Sequence, residues 1–142
     1  MENMDGYQPP KIIFPGQRDI ADAYRVAWDL LHADAPEQAL EILAPALEAE
    51  PGNVGLRSLR AWAYFQRAQL DKARVELEFL VEADPTDVWA RHTLGRLHER
   101  KSEYAAALPH LRLAAAMSGD PDHERAVVRV ERMLEQLAAR VN

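Results

Sequence analysis

The side chains best suited to acid–base work or metal binding near neutral pH are five histidines, His32, His92, His98, His110 and His123. No two stand four apart, so no helical face presents the paired imidazoles of a zinc-binding helix. There is no glycine-rich phosphate loop, no G-x-S-x-G and no H-E-x-x-H. The chain has no cysteine, which removes disulfides, thiolate zinc sites and thiol nucleophiles. The residues therefore predict no catalytic group, no cofactor and no metal, and a protein that is not an enzyme. What remains is recognition chemistry. Trp28, Trp62 and Trp89, with Tyr24 and Arg96, are of the residue types that dominate protein–protein hot spots.

These side chains must be positioned by a chain of 142 residues, 48% of them hydrophobic, with a formal net charge of −6. That length suits one domain with its own core. The acidic balance, with a pI near 5.3, argues against a general nucleic-acid binder, which needs a basic face. No stretch approaches the ~20 apolar residues that span a bilayer. The first twenty residues lack the apolar core of a secretory signal. A soluble, cytoplasmic protein without membrane insertion is expected. The 24 alanines against six glycines lean all-α, since alanine is the best helix former. The 14 arginines against three lysines fit a GC-rich bacterial genome.

Punctuation reveals a repeat. Glu50-Pro51-Gly52-Asn53 recurs as Asp84-Pro85-Thr86-Asp87, 34 residues on, and a third echo falls on Ser118-Gly119-Asp120-Pro121. Ala39, Ala73 and Ala107 share one phase of this period, Leu43, Leu77 and Leu111 another, and the small residues Ala27, Ala61 and Gly95 a third. A small residue at the last phase lets two helices approach closely, with the Ala39 series expected as the facing contact.

A 34-residue period holding two helical stretches resembles the tetratricopeptide repeat, whose pattern is W-x2-L-G-x2-Y, then A-x3-F, then P. The third unit reads Arg91-x2-Leu94-Gly95-x2-His98, Ala107-x3-Leu111, Gly119; the second, Arg57-x2-Arg60-Ala61-x2-Tyr64, Ala73-x3-Leu77, Pro85; the first, Ala23-x2-Val26-Ala27-x2-Leu30, Ala39-x3-Leu43, Pro51. The leading Trp is absent from each, and Arg60 stands where an apolar residue is expected. The resemblance implies an all-α fold, an α-solenoid of three helix-turn-helix units (20–53, 54–87 and 88–121) closed by a C-terminal capping helix over 122–142. His98 falls where the family places an aromatic core residue and is read as packed.

Helix starts are marked by Asp19, Asp34, Asp71 and Ser102 as N-caps, by Pro36 in a first turn and by Asp120 before Pro121. Pro109 lies about one turn into its helix, whereas Pro45 is expected to kink its own. In the capping helix Ala126, Val127, Val130, Met133, Leu134, Leu137, Ala138 and Val141 share one side, with charged residues opposite. Residues 1–19 form an extended Pro-rich leader containing the apolar run Lys11-Ile12-Ile13-Phe14-Pro15.

In the first helix of each unit, Val26, Leu30, Leu56, Ala63, Tyr64, Leu94 and Leu97 supply the packing stripe. Tyr24, Trp28, Leu31, Trp62, Phe65, Trp89, His92 and Arg96 fall off that stripe on one shared face. The resemblance implies that this face lines a groove where a peptide docks. The expected function is a protein-interaction adaptor or chaperone-like module that binds a protein or peptide partner. One subset of the family grips C-terminal carboxylates with Lys, Asn and Arg; the corresponding positions here hold Tyr24, Trp28, Leu59, Trp89 and Thr93, so that clamp is missing. Arg25, Arg96 and Arg100 favour a ligand mixing apolar and acidic residues. The alternative is a self-association module whose groove is filled by its own leader, in cis or across a homodimer.

Overall fold

A computed structural model describes residues 19–141. Its seven helices are α1 (Ile20–His32), α2 (Pro36–Ala49), α3 (Val54–Gln66), α4 (Leu70–Ala83), α5 (Val88–Arg100), α6 (Tyr104–Ser118) and α7 (Pro121–Val141), with no strand among the described residues. The helix starts at 20, 54 and 88, and at 36, 70 and 104, repeat at the 34-residue period of the sequence. Each helix packs mainly on its neighbours in the chain, and α1 also lies against α3. This is the quasi-one-dimensional packing of a solenoid.

The turn inside each hairpin departs from the expected capping. Asp34, Ala68 and Ser102, again 34 residues apart, have φ of 57°, 56° and 60°. They close the preceding helix. The Asp34 N–H bonds the Leu31 carbonyl at 3.2 Å and the Ala35 N–H bonds that of Leu30 at 2.8 Å, and the next two turns repeat the pattern. This paired arrangement is a Schellman motif with a non-glycine residue at its left-handed position. Asp34 and Ser102 are therefore not N-caps; Ala35 and Glu103 occupy those places, Gln69 does so for α4, and Asp71 lies inside the first turn of α4. Asp19 does sit at the N-cap of α1. Side-chain caps fall instead on the connections between hairpins. Asn53 Oδ1 accepts from the Leu56 N–H and Asp87 Oδ1 from the Ala90 N–H, both at 3.0 Å. Asp120 Oδ1 likewise accepts from the Asp122 N–H at 2.8 Å at the start of α7.

Helix α2 runs through Pro45 and α6 through Pro109 as single helices. Both prolines lie on exposed positions, so the carbonyls one turn back that lose their N–H partners face solvent. Neither proline ends its helix.

The core forms three linked clusters. The first joins Ala23, Ala27, Leu31, Leu43 and Leu56 across α1–α3, the second Leu77, Leu80, Leu94 and Leu97 across α4 and α5, and the third Leu111, Ala126 and Val130 across α6 and α7. Complete burial of each leucine contributes about 1.5–3 kcal/mol. Ala27, Ala61 and Gly95 are fully buried, as the repeat phase required. Gly95 lies directly against Leu111: a Cβ on Gly95 would stand 2.6 Å from Leu111 Cδ2. Arg60, off-pattern in the sequence, joins Arg57 in an ion pair with Glu76 of α4, at 2.6 and 2.8 Å. The Arg57 guanidinium also lies 3.4 Å from the centre of the Phe79 ring.

The last turns of α7 extend past the helix they cover. Ala126 and Val130 are buried, but Leu137 and Val141 are exposed. At 21 residues, α7 outruns the 15-residue α6, so among the described residues none covers the apolar side of its end.

Candidate peptide-binding groove

Three helices bring four large aromatics to one cleft. Tyr24 and Trp28 come from α1, Ser58, Leu59 and Trp62 from α3, and Trp89 from the first turn of α5; together they line a cavity of about 320 Å³. The spacing of Tyr24 and Trp28 puts them one turn apart on α1, and the 34-residue period lays Ser58 and Trp62 alongside. The Tyr24 and Trp28 rings stack with centres 6.3 Å apart, and Trp28 meets Trp62 edge-on at 5.8 Å. Leu59, 3% exposed, forms the floor. Tyr24, Trp28 and Trp89 remain 39%, 44% and 41% exposed. The helix packing needs those faces for nothing, since Ala23, Ala27, Leu56 and Ala63 fill the core side.

Two residues that sequence reasoning did not select complete the cleft. His32 stands 4.4 Å from the Trp28 ring and 4.9 Å from Trp62, with Nδ1 2.9 Å from the Trp28 carbonyl oxygen. Its place one turn after Trp28 was the available signal. Gly55 lies beneath Tyr24, where an added Cβ would stand 3.3 Å from Tyr24 Cε2. Its small size lets the phenol lie over the start of α3.

The other expected groove residues divide. Leu31 is 1% exposed and belongs to the first core cluster, so it lines no groove. The right-handed drift of a helix carries this position back toward the core, four residues beyond Ala27. Phe65 is half-buried against the second cluster, and the Arg100 guanidinium covers its ring at 5.0 Å. His92 and Arg96 lie apart from the aromatic cleft, on the side of α5 that meets α7. His92 stacks on His123 with ring centres 4.1 Å apart, and His123 Nδ1 is 2.7 Å from Ser118 Oγ. Burial, then the charges of His123, Arg96 and Arg129, push the His92 imidazole down to about 4. Arg96 Nε lies 3.0 Å from Glu99 Oε2, and Arg129 Nη2 donates to the same oxygen at 2.9 Å. The Arg129 hydrogen bond holds the Glu99 carboxyl below its usual range.

The surface is thus aromatic at its α1–α3 end and cationic where α5 meets α7. A larger depression of about 780 Å³ runs on along α7, past Arg125, Arg129 and Arg132. One helix alone lines it, so that volume measures an open flank rather than a cleft between elements. His98 is packed as expected, its ring 5.7 Å from His110 and parallel to it. Burial, followed by the charges of Arg91 and His98, lowers the His110 pKa. Among the described residues no three His, Asp or Glu side chains converge as metal ligands, and no helix is long and apolar enough to cross a membrane.

The tetratricopeptide repeat family model matches residues 30–94, which include parts of all three hairpins. Residues 30–94 carry the tetratricopeptide repeat pattern. Solved tetratricopeptide structures superpose over most of its length. The Sgt2 domain of Aspergillus fumigatus aligns with a TM-score of 0.77 at 19% identity, covering 93% of this chain and 88% of that one. The first tetratricopeptide domain of Spaghetti (RPAP3), bound to the HSP90 peptide SRMEEVD, aligns with a TM-score of 0.76 at 14% identity over 82% and 93%. MamA from Desulfovibrio magneticus RS-1 aligns with a TM-score of 0.66 at 24% identity, over 74% of this chain and 59% of that one. No curated protein matches the sequence. Identities this low establish a common tetratricopeptide fold, while the residues lining the cleft are this chain's own.

Proposed function

We propose that the chain is a non-enzymatic protein–protein interaction module that takes a peptide segment in the cleft of Tyr24, Trp28, Trp62 and Trp89. The observation that carries this reading is the convergence of the exposed rings of Tyr24, Trp28 and Trp89 with Trp62, which packs on the core at the base of the same cleft. Large rigid rings supply contact area with few torsions to freeze, which is why Trp and Tyr dominate hot spots. A similar fold is bound to a peptide in the RPAP3 structure, which supports a peptide as the ligand class. At the far end Arg96 and Arg129 share the carboxylate of Glu99, and Arg100 lies over the Phe65 ring. That excess of cations suits acidic residues beside the apolar ones in the ligand.

The test starts with peptides selected from a random displayed library on the full chain. Trp28→Ala should weaken the selected peptides by about 2 kcal/mol, roughly 30-fold in Kd. Val75→Ser, an exposed position on α4 away from the cleft, should leave binding unchanged. Selected peptides that bind the Trp28→Ala/Trp62→Ala chain as tightly as the parent would sink the groove reading.

A further inference from the structure

We propose that the aromatic cleft is covered in cis by the chain's own leader, with Ile12-Ile13-Phe14-Pro15 lying over Tyr24, Trp28 and Trp62. The inference rests on the cleft being a peptide groove, and it names what occupies that groove in the absence of a partner.

Reach is the first argument. Residues 1–18 lie outside the described structure, and the described chain begins at Asp19, the N-cap of α1. Trp28 is nine residues along α1 from that point, about 13 Å at the helical rise. Ile13 is six residues before it, about 20 Å of extended chain. The leader has only to reverse beside Asp19 and run back along α1. Gly16 supplies a residue free to adopt the backbone angles of a reversal. Phe14 precedes Pro15, and a residue before proline favours the extended backbone of a strand-like ligand.

Chemical order is the second argument. Moving away from α1, the leader reads apolar first, at Phe14, Ile13 and Ile12, then acidic, at Asp5 and Glu2. The surface reads the same way: an uncharged aromatic cleft, then Arg100 over the Phe65 ring of α3, and Arg96 and Arg129 where α5 meets α7. From Ile12 to Asp5 is seven residues, about 23 Å extended. From α3 to α7 is two helix spacings, about 16–20 Å. Lys11, between the two segments, meets no cation in the cleft, which carries none. A reversed leader therefore brings apolar residues to aromatics and carboxylates to guanidinium groups in one register.

A docked leader competes with any partner. If it covers the cleft about nine-tenths of the time, a partner peptide binds about tenfold more weakly than to an open cleft.

The test compares the full chain with its Ile12→Ser/Phe14→Ser variant by acrylamide quenching of tryptophan emission, with sedimentation at several concentrations. The variant should show red-shifted emission and stronger quenching at every concentration, with unchanged helical circular dichroism. A synthetic peptide of residues 8–18 added to the variant should restore the protection. Equal quenching in the two proteins overturns the proposal. So does protection that grows with concentration alongside a dimer, which would put a second copy in the cleft. If quenching is equal but library-selected peptides still depend on Trp28 and Trp62, only the leader is displaced. If those peptides ignore the tryptophans, the groove reading itself fails.

Discussion

Glu76 is the most consequential charged residue inside the array. It sits on α4, 5% exposed, and accepts from Arg57 Nε at 2.8 Å and from Arg60 Nη2 at 2.6 Å. Replacing it with alanine leaves two guanidinium groups side by side, their side chains only 16% and 27% exposed. Breaking a fully buried pair costs about 3–5 kcal/mol, because the surviving charge keeps its desolvation cost without its partner. Here the arginines retain some water, and Arg57 keeps the Phe79 ring, so the expected loss is about 2–4 kcal/mol. For a chain of this size that is a fall in Tm of roughly 6–12 °C. Glu76→Gln keeps the shape and one acceptor oxygen and should lose less, about 1.5–3 kcal/mol. Replacing all three together, as Arg57→Met/Arg60→Met/Glu76→Leu, removes the charges with their desolvation and should land near wild type. The assay is urea unfolding followed by far-ultraviolet circular dichroism. A Glu76→Ala protein within about 1 kcal/mol of the parent refutes the reasoning, since an exposed pair contributes up to about that much. A triple variant as unstable as Glu76→Ala would equally show that orphaned charge is not the cause.

Three further outcomes follow from the packing. Gly95→Ala places a methyl 2.6 Å from Leu111 Cδ2 and 3.2 Å from the Leu111 backbone nitrogen, so overpacking should outweigh the helix-propensity gain by about 1–2 kcal/mol in urea unfolding. The same change in a Leu111→Ala background should cost far less, and equal costs would disprove the contact. Ala68 holds a positive φ of 56° on an exposed turn, so Ala68→Gly should raise stability by about 0.5–1 kcal/mol despite adding a glycine. A destabilised protein would contradict it. His92, pushed down to about 4 in the fold against 6.5 when free, binds fewer protons folded than unfolded. Its contribution is complete above pH 6.5 and lost as the pH falls through that window to 4. The difference in Tm between wild type and His92→Gln should shrink over that range, and a constant difference would rule it out.

Much of this molecule can be read without coordinates because its contacts are local. A 34-residue period with alanines and leucines in fixed phases determines two helices per unit, their order and their close-approach points, since each unit packs on the next by the same rule. The alternation of Tyr24, Trp28 and Trp62 with the packing stripe likewise marks a second face. Other features are invisible in one dimension. Asp34 and Ser102 have the composition of N-caps, yet the repeated left-handed turn, held equally by Ala68, makes them helix closers. The backbone geometry of the hairpin decides, not the side chain. Leu31 shares the phase of the groove residues but is buried, because helical drift turns it back to the core.

The charged contacts lie furthest beyond the sequence. His92 meets His123 and Glu99 meets Arg129 only because α7 folds back on α5, and Arg60 looks misplaced until Glu76 of α4 reaches it. The sequence by itself determined the repeat, the helices and the residue types available for recognition, because periodicity is a local property of the chain. Only the tertiary structure decided which aromatics share a cleft and which charges are partnered. Those depend on the distance between side chains 16 or more residues apart, which no spacing along one helix specifies.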